Sequence, residues 1–426
     1  MVGFLKQGGQ MAFESLKTSP RAFKVLVASA LIENVAFGLI IPYLVLYMVV
    51  DLEISKPLAG LALAGYTLSG IPGTILGGML TDKIGRRPVL LASLGLMSIT
   101  ILMYFFAVNF VTLFIIVLAD SFVGSLYMPA ANAMIADVIQ PSGRPKAYST
   151  IRIAWNVGMF IGPAIGVFVV AAFSIRELFI FGAAILGGAF VMNLVYVPET
   201  KPESASNQEV TFMNVLRVAN NRPFLMLCSL TALMWFSLSQ WMSVLQIYAT
   251  SDLDLSSTVP GLLFAVNAVM VITLQLWVTS RMVMFRKSLV LMVGQLIVAG
   301  GFSLIFFAND LPSLVACIVI ITIGELVYMS IVSAIIADMS PEAERGLYMG
   351  FSGFIQSLGM GLGFFVGMWL LDILPETRIL WLIFGFFGAF SSLGYIVLSK
   401  MLGPERDRPS KNPDILPMKP PSLEKS

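Results

Sequence analysis

Four ionisable side chains stand inside stretches that are otherwise apolar: Glu33, Asp120, Arg152 and Glu325. Inserting such a group into hydrocarbon costs about 3 kcal/mol, and folding alone gives no reason to accept four of them. They make sense facing a wet cavity or serving a function. A carboxyl group in poorly solvated surroundings can load a proton on one side of a membrane and release it on the other, so Glu33, Glu325 and Asp120 are candidate proton carriers. No imidazole can take that part, because the chain has no histidine. Arg152 is a candidate substrate contact; its alternative is a bridge to Asp120 or Glu33 that merely joins helices.

The elements that position these residues follow from hydropathy. Of 426 residues 58% are hydrophobic and only 12% charged, and apolar runs of about 20 residues recur, each long enough to cross hydrocarbon. Reading these runs against charged or Pro/Gly breaks predicts an all-α membrane protein of twelve transmembrane helices, at 22–49, 58–80, 88–108, 111–137, 147–172, 178–197, 223–249, 259–280, 288–308, 312–337, 346–371 and 379–401. At 1.5 Å per residue Glu33 lies about 16 Å into helix 1 and Glu325 about 20 Å into helix 10, both near the bilayer midplane. Cys228 and Cys317 fall within apolar runs, so neither a disulfide framework nor a metal site is expected. The first run follows a polar leader and has no small-residue cleavage site after it, unlike a removable signal peptide. Among 26 Lys and Arg residues only Lys56, Arg176 and Arg378 fall on one side and Arg152 within a span; the others share the side of the N-terminus. The positive-inside rule then puts both termini in the cytoplasm of a multi-pass plasma-membrane protein.

The longest polar break separates six helices from six. The expected organisation is a leader at 1–21, a six-helix lobe at 22–197, a loop at 198–222, a second lobe at 223–402 and a disordered tail at 403–426. An internal repeat supports duplication: "YMPAANAMIAD" (127–137) and "YMSIVSAIIAD" (328–338) align, and each precedes an arginine and a tyrosine, Arg144 with Tyr148 and Arg345 with Tyr348. Two pseudo-symmetric lobes are therefore expected.

The loop between helices 2 and 3, "GGMLTDKIGRRP", places Gly78, Asp82, Lys83, Gly85, Arg86 and Arg87 in a pattern that resembles the corresponding loop of the major facilitator superfamily. "TSRMVMFRKS" (279–288) resembles its decayed copy in the 8–9 loop. The resemblance implies a gate in which Asp82 faces the positive N-terminal end of helix 11 near Gly346. Helix 5 carries Gly158, Gly162, Pro163 and Gly166, similar to the motif of the twelve-helix drug:proton antiporters. Glycines four apart permit close helix approach and the proline a bend. One position departs from that family: an acid, Asp120, stands four residues before Gly124, where the antiporter pattern has an arginine. The resemblance also implies that helices 1, 4, 7 and 10 line a central cavity, and Glu33, Asp120 and Glu325 stand on three of them.

Trp235, Ser239, Ser243 and Gln246 recur at spacings of 4, 4 and 3 on helix 7, a stripe suited either to substrate recognition or to helix packing. Asn34, Tyr127 and Tyr328 are further candidates. The expected function is secondary active transport by a monomer, with no cofactor: proton-coupled efflux of amphipathic or cationic small molecules, the acids making the cavity attractive to cations. The alternative is a proton-linked importer of a sugar, peptide or organic ion. A sensor or scaffold would carry a large soluble domain. Enzymatic work lacks a phosphate-binding loop or a metal cluster, and nucleic-acid binding lacks a basic cluster.

Overall fold

The computed structural model of the chain describes residues 19–140, 143–201, 218, 220–341 and 344–409. The expected leader, most of the 198–222 loop and most of the tail therefore lie outside the described residues. Every regular element among these residues is helical, as lipid requires, because an open strand would leave backbone groups unsatisfied. In chain order the spans are α1 (Arg21–Asp51), α2 (Lys56–Ile84), α3 (Arg86–Phe105), α4 (Phe110–Val138), α5 (Arg144–Ala172), α6 (Glu177–Tyr196), α7 (Arg222–Asp252), α8 (Val259–Met282), α9 (Lys287–Ile305), α10 (Leu311–Met339), α11 (Arg345–Ile373) and α12 (Ile379–Arg406). Eleven are long and apolar enough to cross a membrane; α8 offers a shorter apolar stretch, Val259–Gln275.

Three spans expected to be continuous are broken. α4 divides into Phe110–Gly124 and Tyr127–Val138, where the Ser93 hydroxyl donates to the Val123 carbonyl at 2.7 Å. α7 breaks at Ser243, whose backbone leaves helical space (φ −129°, ψ −69°). The Gln246 side chain donates to the Trp241 carbonyl at 2.6 Å, so a polar group freed by the break is satisfied inside the protein. α12 is interrupted between Ser392 and Gly394, and again at Gly403, which has φ +70°.

Two six-helix lobes follow from the packing. In the first, α1 lies on α5 and α6, α2 on α4 and α3 on α6; in the second, α7 lies on α11, α8 on α10 and α9 on α12. The lobes also share local geometry. α1 and α7 both end in a π-helical turn, Tyr47–Asp51 and Tyr248–Asp252. Each turn is followed by an acid at φ +52°, Glu53 and Asp254. "YMVVDLEI" and "YATSDLDL" are thus a second internal repeat, separated by the same interval as the 127–137 and 328–338 pair.

The lobes meet through α2 with α11 and α5 with α8. The contacts cluster at the face away from the N-terminus. Gly60 of α2 abuts Phe364, Phe365 and Met368 of α11; Gly261 of α8 abuts Tyr43 of α1 and Val167 of α5. The Lys56 ammonium donates to the Leu371 carbonyl at 3.3 Å. Toward the N-terminal face the lobes part: a methyl group added at Gly78 of α2, or at Gly350 or Gly353 of α11, would meet no atom within 4 Å. α2 and α11 therefore leave open space between the lobes on that face.

Candidate functional site

Helix 5 is held against helix 1 through the glycines of its motif. A Cβ at Gly158 would sit 2.7 Å from the Leu31 carbonyl, one at Gly162 2.5 Å from that of Val35, and one at Gly166 2.6 Å from the Tyr43 ring. Pro163 lies across from Gly38 in the same seam. The seam fixes α1, and with it Glu33 and Asn34. Asn34 donates to its own helix at the Ala30 carbonyl, 3.0 Å. Glu33 is half-buried, and its Oε2 is enclosed without a hydrogen-bond partner among the described residues.

Asp120 is only 6% exposed. It accepts the Thr100 hydroxyl at 2.8 Å and the Tyr104 hydroxyl at 3.4 Å, both from α3. A cavity of about 30 Å³ inside the first lobe is lined by Glu33 and Asp120 together with Phe37, Tyr66, Met97 and Tyr104. A water needs about 10–15 Å³ of such space, so one or two fit between the two acids. Of the three acids expected to carry protons, the structure groups Glu33 with Asp120 in one lobe. Glu325 turns within its own lobe and accepts the Asn267 amide of α8 at 2.9 Å, while Asn267 also donates to Thr322 at 3.1 Å. Asn267 had no signal in the sequence, since a lone amide in an apolar run does not announce its partner.

The expected acid-lined cavity therefore differs from the one found: Asp120 and the Glu33 Oε2 are turned into a lobe interior, and Glu325 is engaged by α8. Arg152, by contrast, is exposed and forms no hydrogen bond or ion pair among the described residues. The alternative reading, a bridge to Asp120 or to Glu33, is not realised among the described residues.

The α7 stripe does not survive as one face, because the helix breaks within it. Trp235 is half-buried, whereas Ser239, Ser243 and Gln246 are fully buried. Ser239 and Ser243 donate to carbonyls of their own helix, those of Phe236 and Ser239, and Ser239 packs on Gly363 of α11. Tyr328 is also sequestered, its hydroxyl 2.9 Å from that of Tyr395 and 3.2 Å from that of Thr231. Tyr127 is buried, with a hydroxyl that lacks a described partner. In this conformation the polar stripe serves helix packing.

The α2–α3 loop is tied down inside its own lobe. Gly85 turns the chain at φ +111°, a region that favours glycine. Arg86 reaches the Asp137 carboxylate at the end of α4 (2.8 Å), the Thr81 carbonyl (3.1 Å) and Asp82 (3.4 Å). Arg87 donates to the Leu194 carbonyl of α6 at 2.9 Å, and the Lys83 carbonyl accepts the Lys201 ammonium. The Asp82 side chain is 65% exposed and pairs with Arg86, not with the start of α11, because the lobes have parted at this face. Glu199, beyond α6, accepts the backbone N–H groups of Arg86 at 3.0 Å and Arg87 at 3.1 Å, which open α3. The second lobe repeats the clasp. Lys287 pairs with Asp338 at the end of α10, and buried Asp407, beyond α12, accepts the Ser288 N–H at 2.9 Å. Sequence reasoning missed Asp137, Asp338, Glu199 and Asp407; the paired Ala-Asp endings of the repeat were the usable signal.

Burial raises the Glu199 pKa, but backbone N–H groups of Arg86, Lys201, Thr200 and Arg87 lower it by more, leaving it below its ordinary value. A depressed carboxyl contributes stability that is present above its unfolded value, about 4.3, and is lost as pH falls through the folded one. Melting temperature is therefore expected to decline below about pH 4, with a shallower decline in Glu199→Gln. Identical slopes would remove Glu199 from the account.

Comparison with known proteins agrees with this architecture. The sequence profile of the Major Facilitator Superfamily matches residues 26–251 and 242–425. The chain belongs to that superfamily of membrane transporters. It is similar to the uncharacterized MFS-type transporter YttB of Bacillus subtilis (strain 168), 26% identical over 83% of this chain and 89% of that protein. It is also similar to quinolone resistance protein NorA of Staphylococcus aureus (strain COL), 24% identical over 80% of this chain and 87% of that one. Its fold matches a mutant of nucleoside transporter NupG with a TM-score of 0.79 at 15% identity, over 88% of this chain and 99% of that structure. A POT family transporter in complex with 5-aminolevulinic acid matches with a TM-score of 0.77, also at 15% identity, over 91% of this chain and all of that one.

Proposed function

We propose that the protein is a proton-coupled exporter of amphipathic or cationic small molecules, acting as a monomer in the plasma membrane with both termini cytoplasmic. Two six-helix lobes, 22–197 and 223–402, rock about a midplane site so that the vestibule opens alternately to each face. The carrying observation is the cavity that joins Glu33 to Asp120. Glu33 has an oxygen free to take a proton, and Asp120 lines the same cavity, which has room for one or two waters. Substrate arriving from the cytoplasm displaces the proton; once the vestibule has reversed and substrate has left, protonation favours the return. Glu325, held by Asn267, is the second candidate carrier. Asn34 and Trp235 remain candidate substrate contacts. The buried Tyr127, Ser239, Ser243, Gln246 and Tyr328 could take that part only after the lobes rearrange.

In the gate, the α2–α3 loop with Asp82, Lys83, Arg86 and Arg87 works as one rigid corner of the first lobe, and Asp82 is released to meet α11 when the lobes close on that face. The interaction is of order 0.3–2 kcal/mol, suited to a latch that opens in each cycle. The likeness to a quinolone resistance protein supports export. Substrate leaving loaded proteoliposomes is expected to acidify the lumen, since each exit carries a proton inward. A lumen that turns alkaline as substrate leaves indicates symport, and one that holds its pH indicates no coupling; either result rejects the proposal.

A further inference from the structure

The inner wall of α5 presents a base to the vestibule. Arg152, Asn156 and Val167 lie within about 60° of one another round the helix, one stripe beside the seam in which Met159 and Pro163 meet Gly38 of α1. At its far end Val167 touches the other lobe beside Gly261 of α8. Toward the N-terminal face the lobes have separated, so the same stripe opens on the space between them. The lipid side lies elsewhere: Phe168 is 74% exposed and sits about 160° round the helix from Arg152. Arg152 is about 12 Å beyond the start of α5. One turn before it, half-exposed Tyr148 holds its hydroxyl 3.5 Å from the Asn132 carbonyl; one turn after it lies half-buried Asn156. Beside it, the Trp155 indole Nε1 is enclosed with no described partner.

We infer that Arg152 is the anchor for an anionic group on the substrate, so that the vestibule takes aromatic or aliphatic amphipaths bearing a carboxylate or a comparable oxyanion, zwitterions included. The guanidinium presents a planar fork that pairs bidentately with such a group. Its counter-charges are directed away: Asp120 toward Thr100 and Tyr104, Glu325 toward Asn267, and the Glu33 Oε2 into the lobe interior. An unpaired base on the substrate path meets a ligand anion without first breaking an internal bridge. This rests on the reading of the vestibule as the substrate path, and it chooses the amphipathic branch of that reading over the purely cationic one.

The test uses 1-pyrenebutyrate and its uncharged amide, with saturable binding measured on the full chain in nanodiscs of zwitterionic lipid at pH 7.5. Wild-type protein is expected to bind the acid at least about tenfold more tightly than the amide. R152Q is expected to erase that preference while leaving amide affinity within about twofold, and R152K to keep part of it. If R152Q shows no melting transition, R152K carries the test, with at least about threefold weaker acid binding and unchanged amide binding expected. No acid preference in the wild type, or an equal preference in the variants, overturns the inference. Equilibrium binding needs no proton gradient. Lost proton coupling with retained acid preference therefore rejects the exporter reading alone, and the converse rejects this one.

Discussion

Glu33→Gln protein reconstituted in vesicles is expected to exchange substrate across the membrane at close to the wild-type rate while substrate-linked proton movement falls at least tenfold. Glutamine keeps the size and polarity of the side chain but removes the titrating group, so the vestibule still forms and only the proton load is lost. Asp120→Asn is expected to reproduce much of that loss, because the cavity connects the two acids and the Thr100 hydroxyl can still donate to the carboxamide oxygen in place of the carboxylate. Lumenal pH recorded during substrate efflux, beside isotope exchange at zero gradient, separates the two properties. Unchanged proton coupling in a Glu33→Gln, Glu325→Gln double variant would remove both glutamates as carriers, and unchanged coupling with Asp120→Asn added would sink the carboxylate mechanism altogether.

Gly162→Leu is expected to remove the folded protein. The seam between α1 and α5 leaves no space there: a first side-chain carbon would lie 2.5 Å from the Val35 carbonyl oxygen, 2.6 Å from the Leu39 nitrogen and 2.7 Å from the Gly38 carbonyl carbon. These are backbone atoms, which no rotamer change can move, so the helices must separate along their length. Overpacking costs about 1–3 kcal/mol where side chains can yield, and a backbone seam lies at or beyond the upper end of that range. A melting temperature in detergent well below wild type, with little monodisperse protein, is the expected result. Gly188→Leu is the control, since a Cβ there meets nothing within 4 Å. Equal behaviour of the two variants would mean that the α1–α5 seam is not what sets stability.

These substitutions mark the parts of the site that were legible in advance. The Gly158, Gly162 and Gly166 spacing points to a close seam wherever its partner lies, because only a residue without a side chain permits such approach. The α2–α3 loop was legible as a pattern of charge and glycine resembling the superfamily's loop, yet its described contacts are within one lobe. They depend on Asp137 and Glu199, residues 51 and 113 positions from Arg86, and nothing in local sequence specifies partners at that distance. The α7 stripe failed for another reason. Period counting assumes an unbroken helix, and α7 breaks at Ser243, inside the stripe, where the Gln246 side chain satisfies the Trp241 carbonyl.

Sequence by itself determined the number of spans, the division into lobes and the acids in apolar runs, since each follows from hydropathy, charge and internal repetition read along the chain. Tertiary structure decided which of those charges share a space. Glu33 and Asp120 line one cavity only because α1 and α4 pack in the same lobe, Glu325 is held because α8 carries Asn267 beside it, and Arg152 is left exposed. A helix fixes the angle of a side chain about its own axis; what that side chain faces depends on how helices distant in sequence are arranged around it.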